Sequence, residues 1–414
     1  MTPASSTTSQ PDALTGAGLR RVVAVLSVTQ IISWGVLYYA FAALSSSITA
    51  DTSWSSVSVT GAFSLSQLVA AGAGIWVGRH IDGYGPRRVM SAGSLLAVPA
   101  VLVIATATSL AAFYAGWVLA GVAMAGVLYP PAFAALTHWA GDRRVGALTT
   151  LTLVAGLAST VFAPLSSELD DRLGWRGAYL TLLVVLVLFT VPLHWWGLRK
   201  PWRSTAGHEA HVDASAAVAA KARTVARSRP FILLAAAMAL TSLSIFAVVV
   251  NLVPMLEEQG KSRNLAAVAL GLGGVGQVTG RLGYAWFAAR TSVSARTVTV
   301  ILAVAAATAA LALAPALTLL LIGLGMLVGL ARGIYTLIQA TAITDRWGPS
   351  AYGTLNGLLT APSLVASASA PFVGAALAQL LGSYSSAFLV LAGLAVVAAL
   401  LAVSATPAAV PDRA

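Results

Sequence analysis

Apolar runs of about 20 residues, each long enough to cross a ~30 Å hydrocarbon core as a helix, follow one another from Arg21 to Ala405 with short polar breaks between them. Twelve spans are expected, over 21–45, 57–79, 88–107, 110–138, 145–168, 175–197, 230–256, 264–289, 295–314, 317–344, 350–380 and 383–405. With 58% of residues hydrophobic and 9% charged, the chain lacks the charge that a soluble surface requires. Alternating apolar and polar patterning is absent, which argues against a membrane β-barrel. The expected fold is an all-α polytopic membrane protein.

The basic residues give an orientation. Arg20, Arg21, Arg79, Arg87, Arg88, Arg143, Arg144, the 198–229 segment, Arg290, Arg296 and Arg346 fall on one side of the twelve spans, against Arg172, Arg176, Lys261 and Arg263 on the other. By the positive-inside rule both termini and the central loop are cytoplasmic, in a multi-pass plasma (cell inner) membrane protein. The net charge of +11 then reflects topology and attraction to the lipid bilayer. No basic domain is present, so a nucleic-acid partner is not expected. The chain has no cysteine, which removes thiolate metal sites and Cys nucleophiles.

Five segments are expected: a disordered cytoplasmic tail over 1–20, a six-helix bundle over 21–197, a polar central loop over 198–229, a second bundle over 230–405 and a cytoplasmic tail over 406–414. The two bundles repeat one another. Gly146-Ala-Leu to Pro164 in span five has the internal spacing of Gly353-Thr-Leu to Pro371 in span eleven, and Gly174 and Gly382 open the spans that follow. Two pseudo-symmetric six-helix halves with a site between them near the midplane is a transporter architecture.

Arg281 and Arg332 lie deep in apolar spans, while the acidic residues fall at loops or helix ends. Arg281 is ~13 Å from the helix end at Arg290, and Arg332 is ~21 Å from Arg346, so neither snorkels easily. An ionised group at that depth costs on the order of 2.5–3.5 kcal/mol on insertion scales and is expected to face a watery cavity or a partner. The guanidinium fork suits a carboxylate or phosphate. An arginine bonded to backbone carbonyls at a helix broken by nearby glycines is the structural alternative. Gln30, Tyr38, Tyr39, Tyr129, Asn251, Gln277, Tyr335 and Gln339 are further polar residues at comparable depth, able to orient an anion without a charge penalty. Tyr129 precedes Pro130 and Pro131, which interrupt the hydrogen-bond ladder of span four and free carbonyls.

Between spans two and three the chain reads Gly78-Arg-His-Ile-Asp82-Gly-Tyr-Gly85-Pro86-Arg87-Arg88. Small residues there allow close helix approach and Asp82 can accept from a neighbouring helix N-terminus, so Gly78, Asp82, Gly85, Arg87 and Arg88 are expected to form a releasable latch. This motif resembles the signature of the major facilitator superfamily, departing from it at Gly83 and Pro86. With Trp34-Gly-Val-Leu-Tyr38-Tyr39, Gly174-Trp175-Arg176, Asn251-Leu-Val-Pro254 and Gly280-Arg281, it is similar to the monocarboxylate transporter and oxalate:formate antiporter branch.

The resemblance implies a rocker-switch transporter, with alternating access to a central cavity; a monomer without cofactor or metal is expected. It puts Arg281 at the place of a carboxylate-binding arginine. The second latch expected near Gly283 has Phe287 where an acid would stand, the branch's extra lysine or membrane aspartate is missing, and Trp117 replaces the arginine linked to proton traffic in span four. The expected function is secondary transport of small organic anions, monocarboxylates first, by proton symport or anion exchange. Drug or metabolite efflux is the alternative, and a non-transporting membrane sensor a weaker one. An enzyme is not expected, because placed acids, His or Cys are lacking, and no nucleotide-binding phosphate loop is present.

Overall fold

The structure, a computed structural model, describes residues 14, 16–202, 223–348 and 352–405. Most of the expected N-terminal tail, the middle of the central loop and the C-terminal tail lie outside these residues.

The first half contains α1 (Gly16–Thr52), α2 (Ser56–Tyr84), α3 (Pro86–Thr106) and α4 (Leu110–Ala140). A 52-residue stretch, Gly146–Gly197, follows; as one helix it would be ~78 Å long, more than twice the bilayer core. Gly174, at φ 69° and ψ 167°, breaks it; with the helix start at Arg144, this gives α5 (144–173) and α6 (175–197). The second half contains α7 (Arg229–Glu258), α8 (Arg263–Ala288), α9 (Val293–Leu313), α10 (Thr318–Thr341), α11 (Tyr352–Leu381) and α12 (Tyr384–Val403). The described residues thus form twelve crossing helices and no strand. An even number puts both ends of the bundle on one face, here the terminal face, opposite a distal face.

α1 starts at Gly16, inside the segment expected as a tail. Its first turn is held by α4: Leu14 N donates to the Trp139 carbonyl at 2.9 Å, and Leu19 and Val22 pack in a cluster with Trp139.

The internal repeat extends to backbone geometry. Ser53 and Gly260, Gly141 and Gly348, and Gly174 and Gly382 all have positive φ, and the members of each pair are 207 or 208 residues apart. Ser55 and Ser262 cap the helices that follow the first of these turns, accepting from Ser58 N and Leu265 N. Gly85 breaks the pattern. Its φ of 76° has no counterpart at Ser292, which is extended at φ −67°. The positive-φ turn at Gly85 is therefore not repeated in the second half.

Lipid tails are as apolar as leucine, so close packing rather than water exclusion must hold these helices together. α8 and α10 show how. A Cβ on Gly329 would sit 1.9 Å from the Gly273 carbonyl oxygen, one on Gly333 2.1 Å from that of Gln277, and one on Gly280 2.3 Å from that of Leu330. Glycine at these positions lets the two backbones touch, which seats Arg281 and Arg332 on adjacent helices. The glycines serve packing and leave α8 and α10 unbroken. In half one an aromatic block does similar work: Phe41 stacks on Phe63 at 4.2 Å, and Trp117 meets both edge-on at 5.2 and 5.1 Å. Trp117 is wholly buried there, so the place read as a lost arginine is an aromatic core position.

The halves are joined mainly at the distal side. Arg263 at the start of α8 pairs with Asp170 of α5 at 2.8 Å, Ser167 donates to Asn264 at 2.6 Å, and Ser56 bonds the Tyr384 hydroxyl at 2.8 Å. Deeper in, Phe372 N donates to Ser64 at 3.0 Å and Thr160 to the Gly271 carbonyl at 2.7 Å. Among these contacts and the two arginine contacts described next, the one nearest the terminal face is made by Arg281.

Candidate functional site

Two interruptions in regular helix build the half-one wall of the site. In α1 a π-turn over Gly35–Tyr39 adds a residue to the turn and buries both Tyr38 and Tyr39, whose rings meet at 5.3 Å. Gly35 is needed there, since a Cβ would collide with the Phe162 ring at 2.2 Å. In α4 the ladder fails where the two prolines predict it. Pro131 has no N–H for the Val127 carbonyl, Leu128 leaves helical geometry at ψ −160°, and Gln30 Nε2 donates to the orphaned Val127 oxygen at 2.6 Å. The restarted helix begins at Tyr129, whose ring lies 5.0 Å from those of Trp34 and Phe133.

The half-two wall carries the cations. Arg332, 8% exposed, donates from Nη1 to the Tyr39 hydroxyl at 3.1 Å and lies over the Phe246 ring at 4.9 Å. Its buried Nε has no hydrogen-bond partner. Arg281 reaches across to half one and donates to the Thr152 carbonyl of α5. Tyr129 has Arg281, Tyr39 and Arg332 as its charged and phenolic neighbours. A cavity of ≈ 20 Å³, about the space of one water, lies between the halves, lined by Tyr39 and Ser159 on one side and Val248, Gly273, Gly329 and Arg332 on the other. Two guanidiniums, three phenols and no described carboxylate therefore converge between the halves. Such a set of donors has the chemistry to hold an anion.

The other expected site residues are distributed differently. Gln277 is buried one turn before Arg281 on α8, and Gln339 is half-buried two turns beyond Arg332 on α10. Asn251 is fully buried, donates to the Ala247 carbonyl at 2.9 Å and the Pro371 carbonyl at 3.4 Å, and so ties α7 to α11. Tyr335 bonds Ser242 at 2.9 Å and donates to the Met238 carbonyl at 2.7 Å, tying α10 to α7. Thr152, Phe246 and Ser159 join the site without having been singled out from the sequence. A backbone carbonyl, a ring and a small hydroxyl in apolar helices carry no pattern that marks them.

In the latch motif, Gly85 combines positive φ with contact against Trp202, 2.8 Å from a built Cβ, and Trp202 also lies 4.0 Å from the His138 ring. Arg87 donates from Nε to the Trp195 carbonyl at 2.7 Å and covers the Trp195 ring at 4.2 Å, so it clamps α3 to the end of α6 inside half one. Arg88 is exposed and Gly78 faces open space. The Asp82 side chain lies outside the described residues. At the equivalent end of half two, Arg296 pairs with Asp345, and Arg346 donates to Thr297 at 2.8 Å. Burial brings the Arg346 guanidinium down to about 10, Asp345 opposes that and Arg296 reinforces it, and the group remains charged at neutral pH. Among the described residues, no group of three or more His, Asp or Glu could hold a metal ion.

Compared with known proteins, the chain matches the Major Facilitator Superfamily over residues 26–325 and 232–414. It belongs to that superfamily. That superfamily is one of transporters rather than enzymes. Monocarboxylate transporter 13 of Rattus norvegicus is 28% identical over 202 residues, 49% of this chain and 45% of the relative. Monocarboxylate transporter 11 of Mus musculus is 30% identical over 206 residues, 50% and 45% respectively. The oxalate:formate antiporter of Oxalobacter formigenes is 28% identical over 136 residues, 31% of this chain and 32% of that one. The matches to the two monocarboxylate transporters thus span about half their length. Among solved structures, a bacterial homolog of the lysosomal transporter Spinster superposes with a TM-score of 0.73 at 16% identity, covering 95% of this chain and 96% of that one. The nucleoside transporter NupG does so at 0.70 and 17%, covering 94% and 98%. At such identities these two structures speak for the fold.

Proposed function

We propose that this transporter carries small organic anions, monocarboxylates first, by alternating access, with Arg332 and Arg281 as the anion ligands. The observation that carries the reading is Arg332: a buried guanidinium held to half one by a single phenol, its Nε unpaired, beside the cavity between the halves. A carboxylate there would meet a planar fork with at least one free donor and would compete with Tyr39 for another. Binding would then act on a contact between the halves, which is what couples occupancy to rocking.

Arg281 makes the same kind of contact with Thr152 and, through Tyr129, belongs to the same electrostatic group. The relatives named as monocarboxylate transporters and an oxalate:formate antiporter fit this reading. With the termini cytoplasmic, the cluster around Arg263 and Asp170 closes the extracellular side, and the conformation faces inward. The described buried carboxylate, Asp170, sits in that closure rather than beside the arginines, so transport proceeds by anion exchange or by entry of the protonated acid. Counterflow of labelled formate, acetate, lactate or oxalate in proteoliposomes tests the function. Accumulation against a preloaded carboxylate is expected; counterflow of none of them would refute the small-carboxylate assignment.

A further inference from the structure

Outside the central site, a groove of ≈ 390 Å³ lies on the flank of half one. Its lining comes from α2, α3 and α4 alone, so it opens sideways rather than between the halves. α2 and α3 each pack more extensively on α4 than on one another, which leaves a furrow between them with Val122 and Gly126 of α4 as its floor. Gly93 and Gly126 bring α3 and α4 into backbone contact and keep that floor low: a Cβ on Gly93 would lie 3.1 Å from the Gly126 Cα.

Along its length the groove changes character. The inner part, at Ala92, Leu96 and Val122, is apolar. The outer part carries Tyr84, 61% exposed, and the exposed Arg88, while Trp76, also 61% exposed, stands two turns further in, level with Leu96; no carboxylate is among the described lining residues. Trp76, His80 and Tyr84 form a ladder of rings at one-turn spacing, 3.8 and 5.9 Å apart, locked by His80 Nδ1 donating to the Trp76 carbonyl at 2.9 Å. From the start of α3 at Pro86 to Leu96 the furrow runs ~15 Å, half of a ~30 Å hydrocarbon core. Its dimensions are those of one leaflet, apolar at depth, with an aromatic ring, Tyr84, and a cation, Arg88, at the level of the headgroups.

We propose that this groove is a binding site for one anionic phospholipid of the leaflet on the terminal face, an acyl chain lying on Ala92, Leu96 and Val122 and the phosphate on Arg88. Charge complementarity selects the headgroup, and the furrow selects a chain over a free phosphate. Occupancy would sit directly on the turn that carries Gly85 and Arg87, so lipid composition would bear on the latch motif.

Native mass spectrometry of the full-length protein, titrated with phosphatidylglycerol or phosphatidylcholine in detergent, tests this. Wild type is expected to retain one phosphatidylglycerol about fivefold more tightly than phosphatidylcholine, the factor that ~1 kcal/mol per basic residue at an anionic surface amounts to. Excess glycerol phosphate should leave the lipid in place. Arg88→Gln should abolish the preference, and Ala92→Trp, which fills the exposed furrow, should lower retention of both lipids. Equal retention of the two lipids by wild type would overturn the proposal without reference to any variant. So would displacement by glycerol phosphate, or an undiminished preference in Arg88→Gln. Loss of lipid in Ala92→Trp with the preference intact in Arg88→Gln would leave an apolar chain site and refute the anionic one.

Discussion

Arg332 of α10 donates to the phenol of Tyr39 in α1 at 3.1 Å, a buried cation of one half anchored on a hydroxyl of the other. The bond exists because a π-turn in α1 turns Tyr39 inward and glycine contacts hold α10 against α8. A fork that keeps Tyr39 and still presents another N–H cannot be replaced by an ammonium. Arg332→Lys is therefore expected to reduce carboxylate counterflow at least tenfold while the protein inserts and purifies normally. Wild-type rates in the lysine variant would mean that charge alone suffices.

The distal closure should be separable from binding. Asp170 is 4% exposed and joins the halves through Arg263, which keeps Glu257 at 3.1 Å when Asp170 is neutralised. The cysteine-free chain accepts spin labels at Arg172→Cys and Ala316→Cys, exposed positions on the distal side of opposite halves. Asp170→Asn is expected to add a longer distance to a narrow wild-type distribution. An unchanged distribution would deny this pair a part in closure.

Gln30 is expected to act through the backbone. In Gln30→Leu the Val127 carbonyl is buried without a donor, a loss of about 1–3 kcal/mol. Pro131→Ala restores an N–H one turn on. The double variant should melt above Gln30→Leu in detergent, whereas simple addition of two losses would argue that Gln30 serves something other than this carbonyl.

The contact between α8 and α10 makes opposite predictions for two glycines. Gly329→Ala drives a methyl into the Gly273 carbonyl and should sharply lower the yield of folded protein, while Gly283→Ala, which meets nothing within 4 Å, should be tolerated. Comparable yields from the two would contradict the packing that seats both arginines.

Depth along a helix was readable from composition, and facing was not. Counting residues from Arg290 and Arg346 places Arg281 and Arg332 at mid-membrane, and the pair Pro130-Pro131 foretells the break before Tyr129. The same count puts Asn251 and Tyr335 at site depth, where both donate hydrogen bonds that tie α7 to neighbouring helices, a facing the count does not give. The π-turn that buries Tyr38 and Tyr39 depends on Gly35 meeting Phe162, a contact 127 residues away in the chain. The pairing of Arg296 with Asp345 likewise depends on how α9 meets the short connection after α10. Such contacts are set by packing, for which local sequence has no signature.

The most direct measurement is the thermal stability of purified protein titrated with small monocarboxylates, each variant compared with its own ligand-free midpoint. A ligand that binds the folded state stabilises it by mass action, by about 2.7 kcal/mol at a hundred times its dissociation constant. Stabilisation of wild type by a carboxylate, lost in both Arg332→Gln and Arg281→Gln, is the predicted result. Equal ligand-induced shifts in both variants, or stabilisation of wild type by lipophilic cations alone, would contradict an anion site at the two arginines.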